Sequence, residues 1–242
     1  MKKRQKHVLI LGGSSDIGIE VIKKFLKLKW NITAHFSKNN KDLEDMKKIS
    51  KNLKTIKFDF LNYKKLNIEK ILIKKFNGKY DSIISLVGYI DNKGFENTNL
   101  KSMIESLVVN ALFPILIEKT LVKKMLTQKW GRILNCSSIG IKFGGGENSY
   151  NYSLSKHCLE FIPNSYKKWA KQNVFINNLR IGVTNTKIHK RMKKHLKLKS
   201  RLKLVPINRL AEPKEMAHYI TDLSTDNNSY ITGQTISVSG GE

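Results

Sequence analysis

The chain has 242 residues, 40% of them hydrophobic and 26% charged, which suits one folded α/β domain burying roughly 70% of its unfolded surface. Its 45 Lys and Arg against 19 Asp and Glu give a formal net charge of +26, but 39 of those cations are Lys, spread along the whole chain. Base-reading proteins lean on bidentate Arg, and only 6 Arg are present beside 22 Asn and 27 Ile, residues that share A/T-rich codons with Lys; no nucleic-acid partner is expected.

In chain order, the apolar run Val8 to Leu11 predicts a buried strand over 7–11, followed by a glycine turn. Ile17, Val21, Ile22, Phe25 and Leu26 then recur at helical spacing and predict a helix over 16–29. A strand, a glycine turn and a helix start place backbone N–H groups where a pyrophosphate can sit. The pattern continues with strand 31–36, helix 41–50, strand 55–58, helix 63–76 and strand 81–87. A long helix 99–127, strand 132–137, a second long helix 150–171 and strand 174–180 follow. A basic helical segment 186–203, helix 213–224 and strand 235–239 close the chain. Strict strand–helix alternation predicts an α/β, doubly wound, Rossmann-like parallel sheet of about seven strands with helices on both faces, in a single domain over 1–242.

No stretch reaches the ~18 apolar residues of a membrane span, and no signal-peptide core precedes the glycine turn. The two cysteines, Cys136 and Cys158, read as reduced thiols, so a cytoplasmic protein without membrane association is expected. His189 and His195 have no nearby Cys or carboxylate, and no metal site is expected.

Two Tyr-x-x-x-Lys pairs occur, Tyr89/Lys93 and Tyr152/Lys156. The first lies between Gly88 and Gly94 in a loop; the second has Ser138 at a strand end 14 residues upstream. Residues four apart share a helix face, so Lys156 can hold its ammonium near the Tyr152 phenol. A neighbouring cation favours the phenolate and brings the phenol toward the range of a general acid or base. The Ser138 hydroxyl can bind the substrate oxygen as charge develops.

With these elements in order, the sequence resembles the short-chain dehydrogenase/reductase family over nearly its whole length. The family's TGxxxGxG corresponds to Leu11 through Gly18, that is Gly12, Gly13, Ser14, Ser15, Asp16, Ile17 and Gly18. Its adenine-side acid matches Asp59, its NNAG segment Ser85 to Gly88, and its helix asparagine Asn110. Its serine, tyrosine and lysine match Ser138, Tyr152 and Lys156, its PGxxxT matches Ile181, Gly182, Thr184 and Thr186, and its closing motif Thr232 to Gln234 with Ser239 to Gly241. The resemblance implies an NAD(P)-dependent oxidoreductase acting on a CH–OH/C=O pair, nearest to 3-oxoacyl-carrier-protein reductases and sugar-modifying members. It implies that Tyr152 is the acid/base, that Lys156 also binds the nicotinamide ribose, that Ser138 positions the carbonyl, and that Asn110 holds a water linking Lys156 to solvent. A non-catalytic dinucleotide-fold binding or regulatory module is the alternative.

Four departures stand out: Asp16 replaces the middle glycine, Ser85-Leu86-Val87 removes both asparagines of NNAG, Ile181 replaces a proline, and Ser239 an aspartate. Asp16 places a carboxylate near the expected phosphate. The acid that grips the ribose 2′-OH of NAD stands about 20 residues past the glycine motif; here the second strand runs into Phe36, Ser37 and Lys38, which suit a 2′-phosphate. NADP is therefore expected, with NAD possible. Residues 187–203 hold nine Lys or Arg in seventeen positions; the resemblance implies that this region covers the substrate, so a basic substrate lid at about 186–208 is expected over an anionic, small-molecule or acyl-carrier-bound substrate, with a solvated helix face as the alternative. Leu107, Val108, Leu112, Ile115, Leu116 and Leu121, with Leu154, Leu159, Phe161 and Trp169, put apolar residues on more than one face of the two long helices, which need a further partner; the resemblance implies that these helices pair across a two-fold axis, so a homodimer or homotetramer is expected.

Overall fold

A computed structural model describes residues 4–38, 41–187 and 202–242. Seven parallel strands form one sheet: β1 (His7–Leu11), β2 (Asn31–Phe36), β3 (Leu53–Lys57), β4 (Ser82–Ser85), β5 (Gly131–Ser138), β6 (Val174–Ile181) and β7 (Thr235–Val238). Their order is β3-β2-β1-β4-β5-β6-β7, so the connections reverse direction between β1 and β4. Ligands bind at the carboxyl ends of strands beside such a switch point.

The strands are apolar on both sides, as a doubly covered parallel sheet requires. Val8 and Ile10 of β1 join one core with Ile22 and Phe25 of α1 (Asp16–Lys27), Leu43 of α2 (Lys41–Ile49) and Ile220 of α8 (Pro213–Leu223). Leu9 and Leu11 point the other way. They join Leu72 and Phe76 of α3 (Ile68–Phe76) and Ile117, Leu121 and Met125 of α5 (Phe113–Gln128).

The long helix between β4 and β5 runs Leu100–Gln128 as α4 (Leu100–Leu107), a π-turn (Val108–Leu112) and α5. By length and composition it could cross a membrane, the one such helix among the described residues, yet half of its most apolar window is buried within the protein.

Two expected helices are shorter. The 63–76 helix starts only at Ile68, because Asn67 takes a left-handed conformation (φ 57°). The 150–171 helix is broken into α6 (Tyr150–Leu159) and α7 (Tyr166–Ala170). Pro163 explains the break: it has no N–H to donate, and it disfavours helical backbone in the residue before it. At the end of α6, Arg180 of β6 donates to Glu160 from Nε and Nη2, at 2.9 and 2.7 Å. Most of the 186–203 segment, including His189 and His195, lies outside the described residues.

Candidate active site

The turn between β1 and α1 is built around glycine. Gly12 has φ +85°, and a Cβ there would stand 2.9 Å from the Leu86 carbonyl. A Cβ on Gly18 would meet the Gly12 and Gly13 carbonyl oxygens at 2.8 Å. His35 of β2 holds the turn twice: its Nδ1 accepts the Gly12 N–H (3.3 Å) and its carbonyl accepts the Gly13 N–H (2.8 Å). Its Nε2 reaches the Phe58 carbonyl at 2.8 Å, and burial pushes the ring down to about 4, so it is neutral.

Ser15 caps α1, its hydroxyl accepting the Gly18 N–H at 3.0 Å. Asp16 opens the helix, but its carboxylate is already engaged: Oδ2 accepts the Lys187 backbone N–H at 2.6 Å, and Oδ1 lies 3.4 Å from the Lys187 ammonium. The sequence offered no sign of this contact across 171 positions.

On the other side of the cleft, side-chain hydrogen bonds tie the segment 91–98 to α4 and to α6. Lys93 donates to Ser102 (2.7 Å), Thr98 to Asn151 (2.7 Å), and Asn151 to Asp91 (2.6 Å). Fully buried Asn110 adds to these ties. Its Nδ2 donates to the Tyr89 carbonyl and to the Ser155 hydroxyl, both at 2.9 Å, and its Oδ1 accepts the Tyr89 N–H at 2.7 Å. The side chain therefore fastens α6 to the segment after β4, and it is absent from the cleft wall. The polar atoms of the side chain are thus bonded to protein.

Ser138 ends β5, and Tyr152 and Lys156 stand one turn apart on α6. All three line one cleft of about 390 Å³, together with Ser14, Ser15, Asp16 and Ile17. The Lys156 ammonium is buried and donates to the carbonyls of Val87 and Cys136, both at 2.8 Å. It sits 5.8 Å from the centre of the Tyr152 ring. Burial pulls Lys156 down to about 8 and pushes Tyr152 up to about 12, with the Ser138 hydroxyl acting against the latter. Burial, and not the Lys156 ammonium, sets the direction of the Tyr152 shift, and that ammonium is turned toward two carbonyls. Buried Cys136 is likewise raised, to about 12, and both cysteines are free.

Among the expected cofactor residues, Lys38, Gly88, Gly182, Thr184 and Thr186 also line the cleft. Gly12 and Gly18 shape it from behind without lining it, and Ser37 is not on its wall. Asp59 is not either; its carboxylate caps a short turn through the Leu61 N–H at 3.0 Å. The sequence reasoning missed Ile90, Gly145, Ser149 and Ser153, all on the wall, whereas Lys187 was expected in the basic segment and not beside Asp16. The glycine run 144–146 beside the serine could have signalled the loop that carries Gly145.

The cleft fits a nicotinamide dinucleotide. A glycine turn and a helix N-terminus stand at one end, and the Ser138, Tyr152 and Lys156 side chains at the other. The first N–H groups of a helix have no intrahelical partners and favour phosphate.

Comparison with known proteins agrees. A family model described as enoyl-(acyl carrier protein) reductase matches residues 14–242. The 3-oxoacyl-[acyl-carrier-protein] reductase FabG of Aquifex aeolicus is 32% identical over 162 residues, covering 66% of this chain and 64% of that enzyme. The chain thus spans slightly less than two thirds of that relative. The FabG of Buchnera aphidicola is 28% identical, covering 100% of this chain and 89% of the enzyme, and the acetoacetyl-CoA reductase of an Acinetobacter strain is 26% identical, covering 98% and 96%. In fold, an Agrobacterium tumefaciens 3-oxoacyl (acyl-carrier-protein) reductase with NADP bound superposes with TM-score 0.85 at 19% identity, covering 99% of this chain and 95% of that one. A 4-hydroxyisoleucine dehydrogenase mutant complexed with NADH and succinate does so with TM-score 0.85 at 23% identity, covering 98% of both chains. A glycine turn bound to the start of α1, a Ser-Tyr-Lys set across the same cleft and a family match over nearly the whole chain leave one assignment: the chain belongs to the short-chain dehydrogenase/reductase family of NAD(P)-dependent oxidoreductases acting on CH–OH/C=O groups.

Proposed function

We propose that the protein is an NADP-preferring reductase of a carbonyl on an anionic substrate, a 3-oxoacyl thioester before a keto-sugar. The observation that carries this is the convergence of Ser138, Tyr152 and Lys156 on the cleft that also holds the α1 N-terminus. When bound, the nicotinamide supplies hydride. Tyr152 gives its phenolic proton to the substrate oxygen, which a group held near 12 does readily once that oxygen becomes an alkoxide. Ser138 donates a hydrogen bond to the same oxygen. An ammonium has three donors; Lys156 spends two on Val87 and Cys136, and the third serves the nicotinamide ribose.

Lys38 on the cleft wall, with no acid at the end of β2, supports NADP. The names of the FabG and acetoacetyl-CoA reductase relatives support a 3-oxoacyl thioester. The nine cations between 187 and 203 support an anionic substrate, although 188–201 lie outside the described residues. The test follows nicotinamide absorbance with NADPH and NADH against acyl thioesters and keto-sugars. Consumption of NADPH with a 3-oxoacyl thioester is expected; tighter NADH binding, or turnover of keto-sugars alone, contradicts the corresponding part.

A further inference from the structure

We infer that Lys187 is a ligand for the diphosphate of the dinucleotide, held in reserve by Asp16 and Asp42 until the cofactor enters. The inference rests on the reading that the cleft binds a nicotinamide dinucleotide.

Asp16 is the first residue of α1 and lines the cleft. Its carboxylate stands where a helix N-terminus attracts an anion, so it serves as an internal stand-in for phosphate. Left alone, it would repel a diphosphate arriving at the same helix end. Lys187 changes that balance. Its ammonium lies 3.4 Å from Asp16 Oδ1 and 3.6 Å from Asp42 Oδ2, joining the loop after β6 to both α1 and α2. The backbone N–H of Lys187 also bonds Asp16 at 2.6 Å, which fixes the base of the side chain on the cleft wall.

The Lys187 side chain is 60% exposed, so its two ion pairs are solvent-screened and weak. A diphosphate at the helix end competes for it with two negative charges on one ligand. The lysine then changes partner, and Asp16 keeps only the backbone N–H. Asp16, a departure from the glycine common at this position, thus sets how strongly Lys187 is withheld.

The test is calorimetric binding of NADPH to the wild type, Lys187→Gln, Asp16→Asn and the double variant, without substrate. Asparagine keeps an acceptor for the Lys187 N–H and removes only the charge. One charge contact of this kind is worth about a kcal/mol in water, so Lys187→Gln is expected to weaken binding roughly five- to tenfold and Asp16→Asn to tighten it by a similar factor. The gain from Asp16→Asn should be smaller when Lys187 is already Gln, because no lysine is then freed. Both effects should fade between about 0.01 and about 1 M ionic strength. Asp42→Asn, which leaves the glycine turn untouched, should also tighten binding and guards against a folding defect at Asp16. Unchanged affinity in Lys187→Gln, or weaker binding in both aspartate variants, overturns the assignment and leaves Lys187 as a structural tie. Failure of the wild type to bind either dinucleotide overturns the reading of the cleft itself, and the assignment with it.

Discussion

The side-chain amide of Asn110 donates to the Ser155 hydroxyl across 2.9 Å, inside the helical turn that separates Tyr152 from Lys156. Ser155 in turn donates to the Tyr152 carbonyl at 2.7 Å. The π-turn of the long helix is thereby locked to the helix that carries the tyrosine and lysine. Such turns occur often at functional sites. Replacing Asn110 with Ala leaves the Tyr89 N–H and carbonyl without side-chain partners. Each buried polar group left unpaired costs about 1–3 kcal/mol, so urea unfolding should show a loss of at least that size. Turnover should fall more than cofactor binding. A variant with wild-type stability would show that the amide carries no structural load.

Gly12 and Gly88 make a matched pair of tests on the two sides of the switch point. Alanine at Gly12 must hold φ +85° and press its Cβ to 2.9 Å from the Leu86 carbonyl. The backbone conformation alone costs on the order of 1–3 kcal/mol, and cofactor binding should be lost with the turn. Alanine at Gly88 meets nothing within 4 Å, so the melting temperature should stay unchanged. Gly88 lines the cleft, however, and the added methyl should weaken NADPH binding. Equal stability losses in the two variants would contradict this account.

Glu118 on α5 is buried, its Oε1 has no hydrogen-bond partner, and burial raises its carboxyl from 4.5 to about 8, opposed only by Asn135. Between those two values the folded chain holds a proton that the unfolded chain has released, so stability falls as pH rises through this window. Glu118→Gln removes that slope and should stabilise the protein at neutral pH by on the order of 2–3 kcal/mol. Denaturant unfolding at about pH 5 and about pH 8 measures it; an unchanged slope in the variant would place the carboxyl elsewhere.

What the sequence disclosed and what it withheld divide along chain distance. The strand, glycine turn and helix from His7 to Lys27 are local, and their periodicity and turn chemistry are read directly from neighbouring residues. Ser138, Tyr152 and Lys156 are legible for the same reason: a strand end and one helical turn bring them together. The pairing of Asp16 with Lys187 is invisible because it joins residues that only the sheet order brings close. The direction of the Lys156 ammonium is equally hidden, since its acceptors are backbone carbonyls that every residue possesses. The helix break at 160–165 was written in Pro163, but the apolar residues on both sides masked it.

The apolar residues expected to pair between subunits are only partly free. Val108, Leu121 and Leu159 are buried within the chain, whereas Leu112, Leu154 and Phe161 remain 47%, 38% and 76% exposed. We propose that these three are covered in a homodimer or homotetramer. Light scattering should give a multiple of 27.8 kDa, falling toward that mass in Leu154→Glu with Phe161→Glu. A monomer for the wild type at micromolar concentration would refute it.

The most direct test is the NADPH-dependent reduction of a 3-oxoacyl thioester by the wild type and by Tyr152→Phe, with NADPH binding measured on both. Phenylalanine keeps the ring and its packing but has no proton to give. Turnover should fall by about 10²-fold or more while NADPH affinity and melting temperature hold. Wild-type turnover in Tyr152→Phe would contradict the central claim that this phenol is the acid.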